Sequence, residues 1–190
     1  GDELIGVHLG MEMNISMLGM VGFLMQSSKD LEQAVQTFCH YSSMVTPMID
    51  FVYITGEQVS VKMLQNRMWQ KKYPEPARQA LEFTVATLVK FLRTLSGKNI
   101  TPFRVELEFS KREVSGYHRA LECDIVFDAM STQVQFRAED MKRPVVSRDQ
   151  SLFELFNSIL SQKKAAQAAE GFTEKLRKLL FMHFKGQVPT

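Results

Sequence analysis

Pro102-Phe-Arg-Val-Glu-Leu-Glu-Phe109, Tyr117-His118, Ile125-Val126-Phe127-Asp128-Ala129, Val134-Gln135-Phe136 and Met141-Lys142-Arg143-Pro144-Val145 are the segments whose reading decides the fold of this chain. Phe103, Val105, Leu107 and Phe109 alternate with Arg104, Glu106 and Glu108, the period of a strand with one buried and one wet face. Two further short strands are predicted near 124–128 and 132–137, joined by a turn around Met130 to Thr132. A short helix carrying Tyr117 and His118 separates the first strand from the second. A sheet segment with helices around it, an α+β arrangement, follows.

Working toward the N-terminus, Pro74 and Pro76 open a long helix with Ala77, Leu81, Val85, Leu88, Leu92 and Leu95 in one stripe, stopped by Gly97. This helix is expected to lie across the sheet. Val52 and Ile54, then Thr55-Gly56-Glu57-Gln58, then Val59, Val61 and Met63 read as a hairpin. Leu31, Ala34, Val35, Phe38 and Tyr41 fall at helical spacing behind Ser27 and Ser28, which are read as caps, so a helix over about 29–44 is expected, ending before Pro47. Residues 13–26 are apolar and Met-rich, interrupted by Gly19 and Gly22, and read as one buried helix packed closely on another backbone.

Toward the C-terminus, Ser147-Arg148-Asp149-Gln150 reads as a capping box for a helix with Leu152, Phe153, Leu155, Phe156, Ile159 and Leu160. Lys163 to Gly171 either continues that helix or forms a connector. A last helix, 172–185, carries Leu176, Leu179, Leu180 and His183 or Phe184 on one face and stops at Gly186. The expected whole is one α+β domain, a mostly antiparallel mixed sheet of about five strands packed against several helices.

Composition agrees with a folded domain: 45% of the 190 residues are hydrophobic and 23% charged, ordinary globular values. No apolar run approaches the roughly 20 residues that span a bilayer, and no signal peptide is legible. With two cysteines, Cys39 and Cys123, the chain is no disulfide scaffold, and a soluble protein of a reducing cytoplasm is expected. A formal net charge of +2 is too small to imply nucleic-acid binding by bulk electrostatics. Residues 161–190 are more basic, with six Lys or Arg against Glu170 and Glu174, net +4. Such a run is more often a solvated helix face than a phosphate track.

In order and spacing, the segments from Pro102 to Pro144 resemble the sensor half of AraC-type bacterial transcription regulators, the group whose N-terminal domain is called arabinose-binding. Gly6-Val7-His8-Leu9-Gly10 is similar to the opening of that domain, Leu18-Gly19-Met20-Val21-Gly22-Phe23 to its second glycine-flanked segment, and Leu31 to Tyr41 to the helix that follows. The resemblance implies that residues 1–186 are an effector-sensing and dimerisation domain without its first helices, and that 187–190 begin a linker to a helix-turn-helix domain absent from the chain. It also implies a small-molecule effector, a homodimer, and DNA contact only through that absent domain.

No P-loop, G-x-G-x-x-G or H-E-x-x-H string occurs. His8, His40, His118 and His183 are scattered and adjacent Cys39 and His40 point apart on a helix, so no metal site and no cofactor are expected. Cys123 reads as a small buried hydrophobe and Glu106 with Glu108 as solvated strand residues. No catalytic group is assigned and no enzyme is expected. The twelve methionines and fourteen phenylalanines suit either plain core or an adaptable pocket. Arg104, Tyr117 and His118 are the candidates for orienting an effector, because they lie in the segment most like the family and can hydrogen-bond. A ligand-free dimerisation module is the alternative. Arabinose has no special claim, since the lone Trp69 sits in a polar segment beside Lys71 and Lys72.

Overall fold

The computed structural model describes residues 2–110 and 115–184, and among these the side chains of all but residue 115 and residues 170–184. Helix α1, Ile5–Glu12, had no secondary structure assigned from its sequence. Its two glycines one turn apart explain its packing on α5, Pro74–Ser96. A Cβ on Gly6 would stand 2.4 Å from the carbonyl oxygen of Gln79, and one on Gly10 2.5 Å from that of Phe83. Only hydrogen fits, so the two backbones touch.

The single helix expected over 13–26 is instead a 3-10 turn, Ile15–Leu18, followed by α2, Met20–Ser27. The cause is Gly19, whose φ of 59° and ψ of −131° lie outside the helical region and are open only to glycine. Asn14 caps the 3-10 turn by accepting from the Ser16 N–H at 2.9 Å. The expectation of close packing holds at Gly22, where a Cβ would come within 2.1 Å of the Ile15 carbonyl oxygen.

Helix α3, Leu31–Tyr41, begins later than expected and runs into a 3-10 turn, Ser42–Met44. Ser27 and Ser28 are not its caps. Their hydroxyls donate back to Phe23 and Leu24 carbonyls, closing α2, while Asp30 accepts from the Gln33 N–H at 2.8 Å. Strands β1, Ile49–Ile54, and β2, Gln58–Gln65, form the expected antiparallel hairpin. A short α4, Arg67–Lys72, capped by Asn66, was not expected. Helix α5 then starts at Pro74 and ends where Gly97 turns left-handed at φ 62°, as its sequence signals require. All six residues of its predicted stripe are buried.

The regular part of β3 is only Arg104–Glu106, shorter than the alternation over 102–109 predicts. Val105 and Leu107 are buried, but Phe103 is 37% exposed and lies beneath the guanidinium groups of both Arg104 and Arg137. Past Glu106 the chain still bonds its neighbours, irregularly: the Leu107 N–H donates to Val126 at 2.8 Å and the Ala129 N–H to Leu107 at 3.0 Å. Helix α6, Ser115–Leu121, crosses over to β4, Asp124–Val126, which pairs parallel with β3. Strand β5, Thr132–Arg137, lies antiparallel to both β2 and β3. The sheet order is β1-β2-β5-β3-β4, a mixed and mostly antiparallel sheet.

Helix α7, Ala138–Met141, leads to an isolated bridge between Pro144 and Asp30. Helix α8, Gln150–Phe184, is continuous, so Lys163 to Gly171 continues the helix. Its cap is Asp149, which accepts from the Leu152 N–H at 3.0 Å, while the Ser147 hydroxyl donates to Gln26 instead. The face expected on Leu176 to Phe184, the stop at Gly186 and the linker 187–190 lie outside the described residues or side chains. Among the described residues, eight α-helices and five strands form one α+β domain with one buried core drawn from both layers.

Candidate functional site

Helix α5 carries a second stripe beside its core stripe. Ala80, Phe83, Thr84, Thr87 and Phe91 recur at helical spacing and line a cavity of about 380 Å³. The chain between α1 and α2 faces them with Met13, Met17 and Leu18, and α2 adds Met25. Phe38 of α3 and Phe51 of β1 meet edge to face at 4.8 Å on the far wall, a favoured aromatic geometry. The segment before β1 supplies Val45, Thr46 and Met48, and α4 supplies Trp69.

No lining residue of this cavity is charged. Each of its three threonine hydroxyls already makes one bond to the backbone. Thr84 donates to the Ala80 carbonyl at 2.7 Å, Thr87 to that of Gly10 at 3.5 Å, and Thr46 accepts from the Met48 N–H at 3.3 Å. Met17 and Met48, 71% and 41% exposed, stand at the mouth. Two other crevices are wider in opening and more polar: one between α4 and the start of α5, with Gln65, Gln70 and Glu108, the other between α1 and α6, with His8, Arg93 and Arg119.

Arg104, Tyr117 and His118 are not among the residues lining the cavity. Arg104 is half-buried on β3 with its guanidinium over Phe103, and its Nε has no hydrogen-bond partner among the described residues. Tyr117 and His118 share α6, but His118 is exposed whereas Tyr117 is buried. The Tyr117 hydroxyl donates to Glu82 of α5, and Glu82 also accepts from Arg78. Arg78 in turn bonds Glu75 through Nη2 at 3.0 Å and Nε at 3.2 Å. Burial, then the Glu82 carboxylate, push the Tyr117 hydroxyl above its usual ionisation range. For Arg78, burial pulls the other way, and the two carboxylates outweigh it to hold the guanidinium charged. This is a buried ionic knot fastening α6 to α5, with Arg78 also reaching the Glu3 carbonyl at 3.5 Å.

Trp69 is the cavity residue the sequence concealed. Its polar neighbours Lys71 and Lys72 are on the same short helix, whose turn separates them from the cavity. The recurrence of Ala80, Phe83, Thr84, Thr87 and Phe91 was the available signal, half hidden by its two threonines. Both cysteines are partly buried, and burial pushes each thiol up to about 12. Among the described residues no three or more His, Cys, Asp or Glu side chains gather as a metal site, and no helix is long and apolar enough to cross a membrane.

The family described as the arabinose-binding domain of AraC transcription regulator, N-terminal, matches residues 1–145. The solved structure of the transcriptional regulator CdpR from Pseudomonas aeruginosa is similar at a TM-score of 0.69 and 17% identity, covering 85% of this chain and 55% of that one. At that identity the likeness shows the fold, and this chain spans about half the length of that regulator. No curated protein sequence matches. With three quarters of its length matched, the five-stranded domain built around α5 belongs to the family of N-terminal arabinose-binding domains of AraC transcription regulators.

Proposed function

We propose that this domain senses a small-molecule effector in the cavity beside α5 and passes the signal through α8 to a DNA-binding unit of the same regulator. The observation that carries the reading is that two helices walling the cavity also hold α8. On α2, Met25 faces the cavity and Phe23 stacks on Phe156 of α8, ring centroids 5.9 Å apart. On α3, Phe38 faces the cavity, while the Tyr41 hydroxyl bonds Asn157 and Ser161 of α8. An effector that binds one placement of α2 and α3 tenfold better than another shifts the balance between them by about 1.4 kcal/mol. The site is assigned to the cavity and not to Arg104, Tyr117 and His118, of which Tyr117 is spent on the knot with Glu82.

The test is a thermal-shift screen with amino acids, sugars, fatty acids, alcohols and aromatic acids, followed by hydrogen exchange with the best stabiliser. Protection is expected in α2, α3 and the first turns of α8. Protection limited to α5 and β1 overturns the transmission to α8.

A homodimer is the proposed assembly in a cytoplasmic regulator, with α8 as its contact. Val146, Leu152 and Leu155 are 69%, 44% and 53% exposed around the start of this helix, apolar surface suited to a second copy. Sedimentation equilibrium should give a dimer for the chain and a monomer for Leu155→Glu; a monomer for both overturns it.

A further inference from the structure

Resting on the reading of the cavity as the effector site, we infer that its occupant is an uncharged, mainly hydrocarbon molecule of on the order of a dozen non-hydrogen atoms, with one neutral oxygen function such as a hydroxyl, ketone or lactone. Size comes first. At the roughly 30 Å³ that a water takes in the liquid, a cavity of about 380 Å³ holds about that many atoms. This is the lower part of the range for small-molecule sites.

Charge decides the class. An ionised carboxylate, phosphate or ammonium loses its hydration on entering, and no lining side chain carries an opposite charge to replace it. A sugar fares no better, because its several hydroxyls need several partners. The three threonine side chains already use their hydrogen-bonding capacity on backbone groups in part: Thr84 and Thr87 donate and keep only acceptor lone pairs, while Thr46 accepts and keeps its O–H. The indole N–H of Trp69 and the O–H of Thr46 are the side-chain donors of the lining without an acceptor among the described residues. One neutral oxygen function satisfies that inventory, and the several hydroxyls of a sugar do not.

Shape fits the same class. Four methionines and the aromatic rings of Phe38, Phe51, Phe83 and Phe91 form the walls. The exposed Met17 and Met48 at the mouth are unbranched and can part for a chain and close over it.

Trp69 is the only tryptophan and lines the cavity, so binding reads out in its fluorescence. The experiment titrates the chain with straight-chain 1-alkanols of increasing length, the matching carboxylates and alkylamines at neutral pH, and arabinose, with calorimetry as a second readout. It repeats each titration with Ala80→Phe and Thr84→Leu, both half-buried positions facing open cavity space, after circular dichroism shows them folded.

The expected result is alkanol affinity rising roughly fourfold per methylene, from the ~0.8 kcal/mol of each buried CH₂, until the cavity is full. Carboxylates and amines of equal length should bind at least about tenfold more weakly, and either variant should weaken the alkanols by about tenfold or more. If a charged member or arabinose binds as tightly as the alkanol and the variants block it, the site stands and the neutral class is overturned. Binding that neither variant affects, or no binding by any compound, overturns the cavity itself as the effector site, and the ligand class with it.

Discussion

The Tyr41 hydroxyl lies 2.8 Å from Asn157 Oδ1, joining α3 to α8 across 116 residues of sequence. Tyr41 is 2% exposed, and its hydroxyl also sits 2.7 Å from Ser161 Oγ, one helical turn further along α8. Lys164 Nζ extends the contact by donating to the His40 carbonyl. The first part of α8 is thus bound to the cavity-bearing body by polar contacts as well as by the Phe23 and Phe156 stack.

Tyr41→Phe keeps the ring and removes the hydroxyl's bonds to Asn157 and Ser161. The expected loss is about 1–2 kcal/mol in urea unfolding. Amide exchange should accelerate in the α8 turns around Asn157 and Ser161 more than in α5. Uniform acceleration across the domain would show that Tyr41 serves global stability and no specific fastening of α8.

Gly10→Ala reverses a general rule. Inside a helix, Gly to Ala normally stabilises by about 0.5–1 kcal/mol. Here the added Cβ would lie 2.5 Å from the Phe83 carbonyl oxygen and 2.7 Å from Ala86 Cβ, so α1 must back away from α5. A net destabilisation of about 1–3 kcal/mol is expected by thermal unfolding, and a raised Tm contradicts the close approach.

Glu82→Gln removes a charge from the buried knot while leaving an acceptor for Tyr117. About 3 kcal/mol of stability should be lost, because Arg78 then keeps only Glu75 as an ionic partner from the pair it now holds. Tyr117→Phe should cost about 1–2 kcal/mol. The double variant should cost less than the sum, since both act on one network; full additivity in denaturant titrations would show that the knot is not a unit.

Alkaline pH should unfold the domain. A thiol that ordinarily ionises near pH 9 and is raised by burial in the fold to about 12, as for Cys39 and Cys123, is protonated in the folded chain where the unfolded one ionises. That contribution is complete below about pH 9 and is lost as pH rises toward about 12. Burial shifts Tyr53 and Tyr117 in the same direction, so they add to the loss above about pH 10. Urea midpoints at about pH 8 and about pH 10 should fall in that order, and Cys39→Ala with Cys123→Ala should flatten the fall. The native thiols should also react with a disulfide reagent far more slowly than those of the unfolded chain.

What the sequence by itself determined is what neighbouring residues enforce. Pro74, the spacing from Ala77 to Leu95 and Gly97 set α5 from start to stop, because φ restriction, side-chain period and a left-handed exit are local. The hairpin of β1 and β2 and strand β5 follow from period-two alternation in the same way. The family signature also rides on such local order, and the family it points to is the one that matches residues 1–145.

Only the tertiary structure decided the rest. The length of β3 depends on β4 and β5, which stop pairing regularly beyond Glu106, and no local signal in 102–109 records that. Tyr117 and Arg104 stand out in the sequence because hydrogen-bonding capacity is visible there, whereas the Glu82 that accepts from Tyr117 is 35 residues away. The cavity was invisible for a related reason. It is a gap between five or more elements, and a sequence shows which residues are apolar but not where their side chains fail to meet. From Pro102 to Pro144 the chain announces its family; the space beside Trp69, the proposed effector site, exists only once α5, the Met-rich turn and β1 have been brought together.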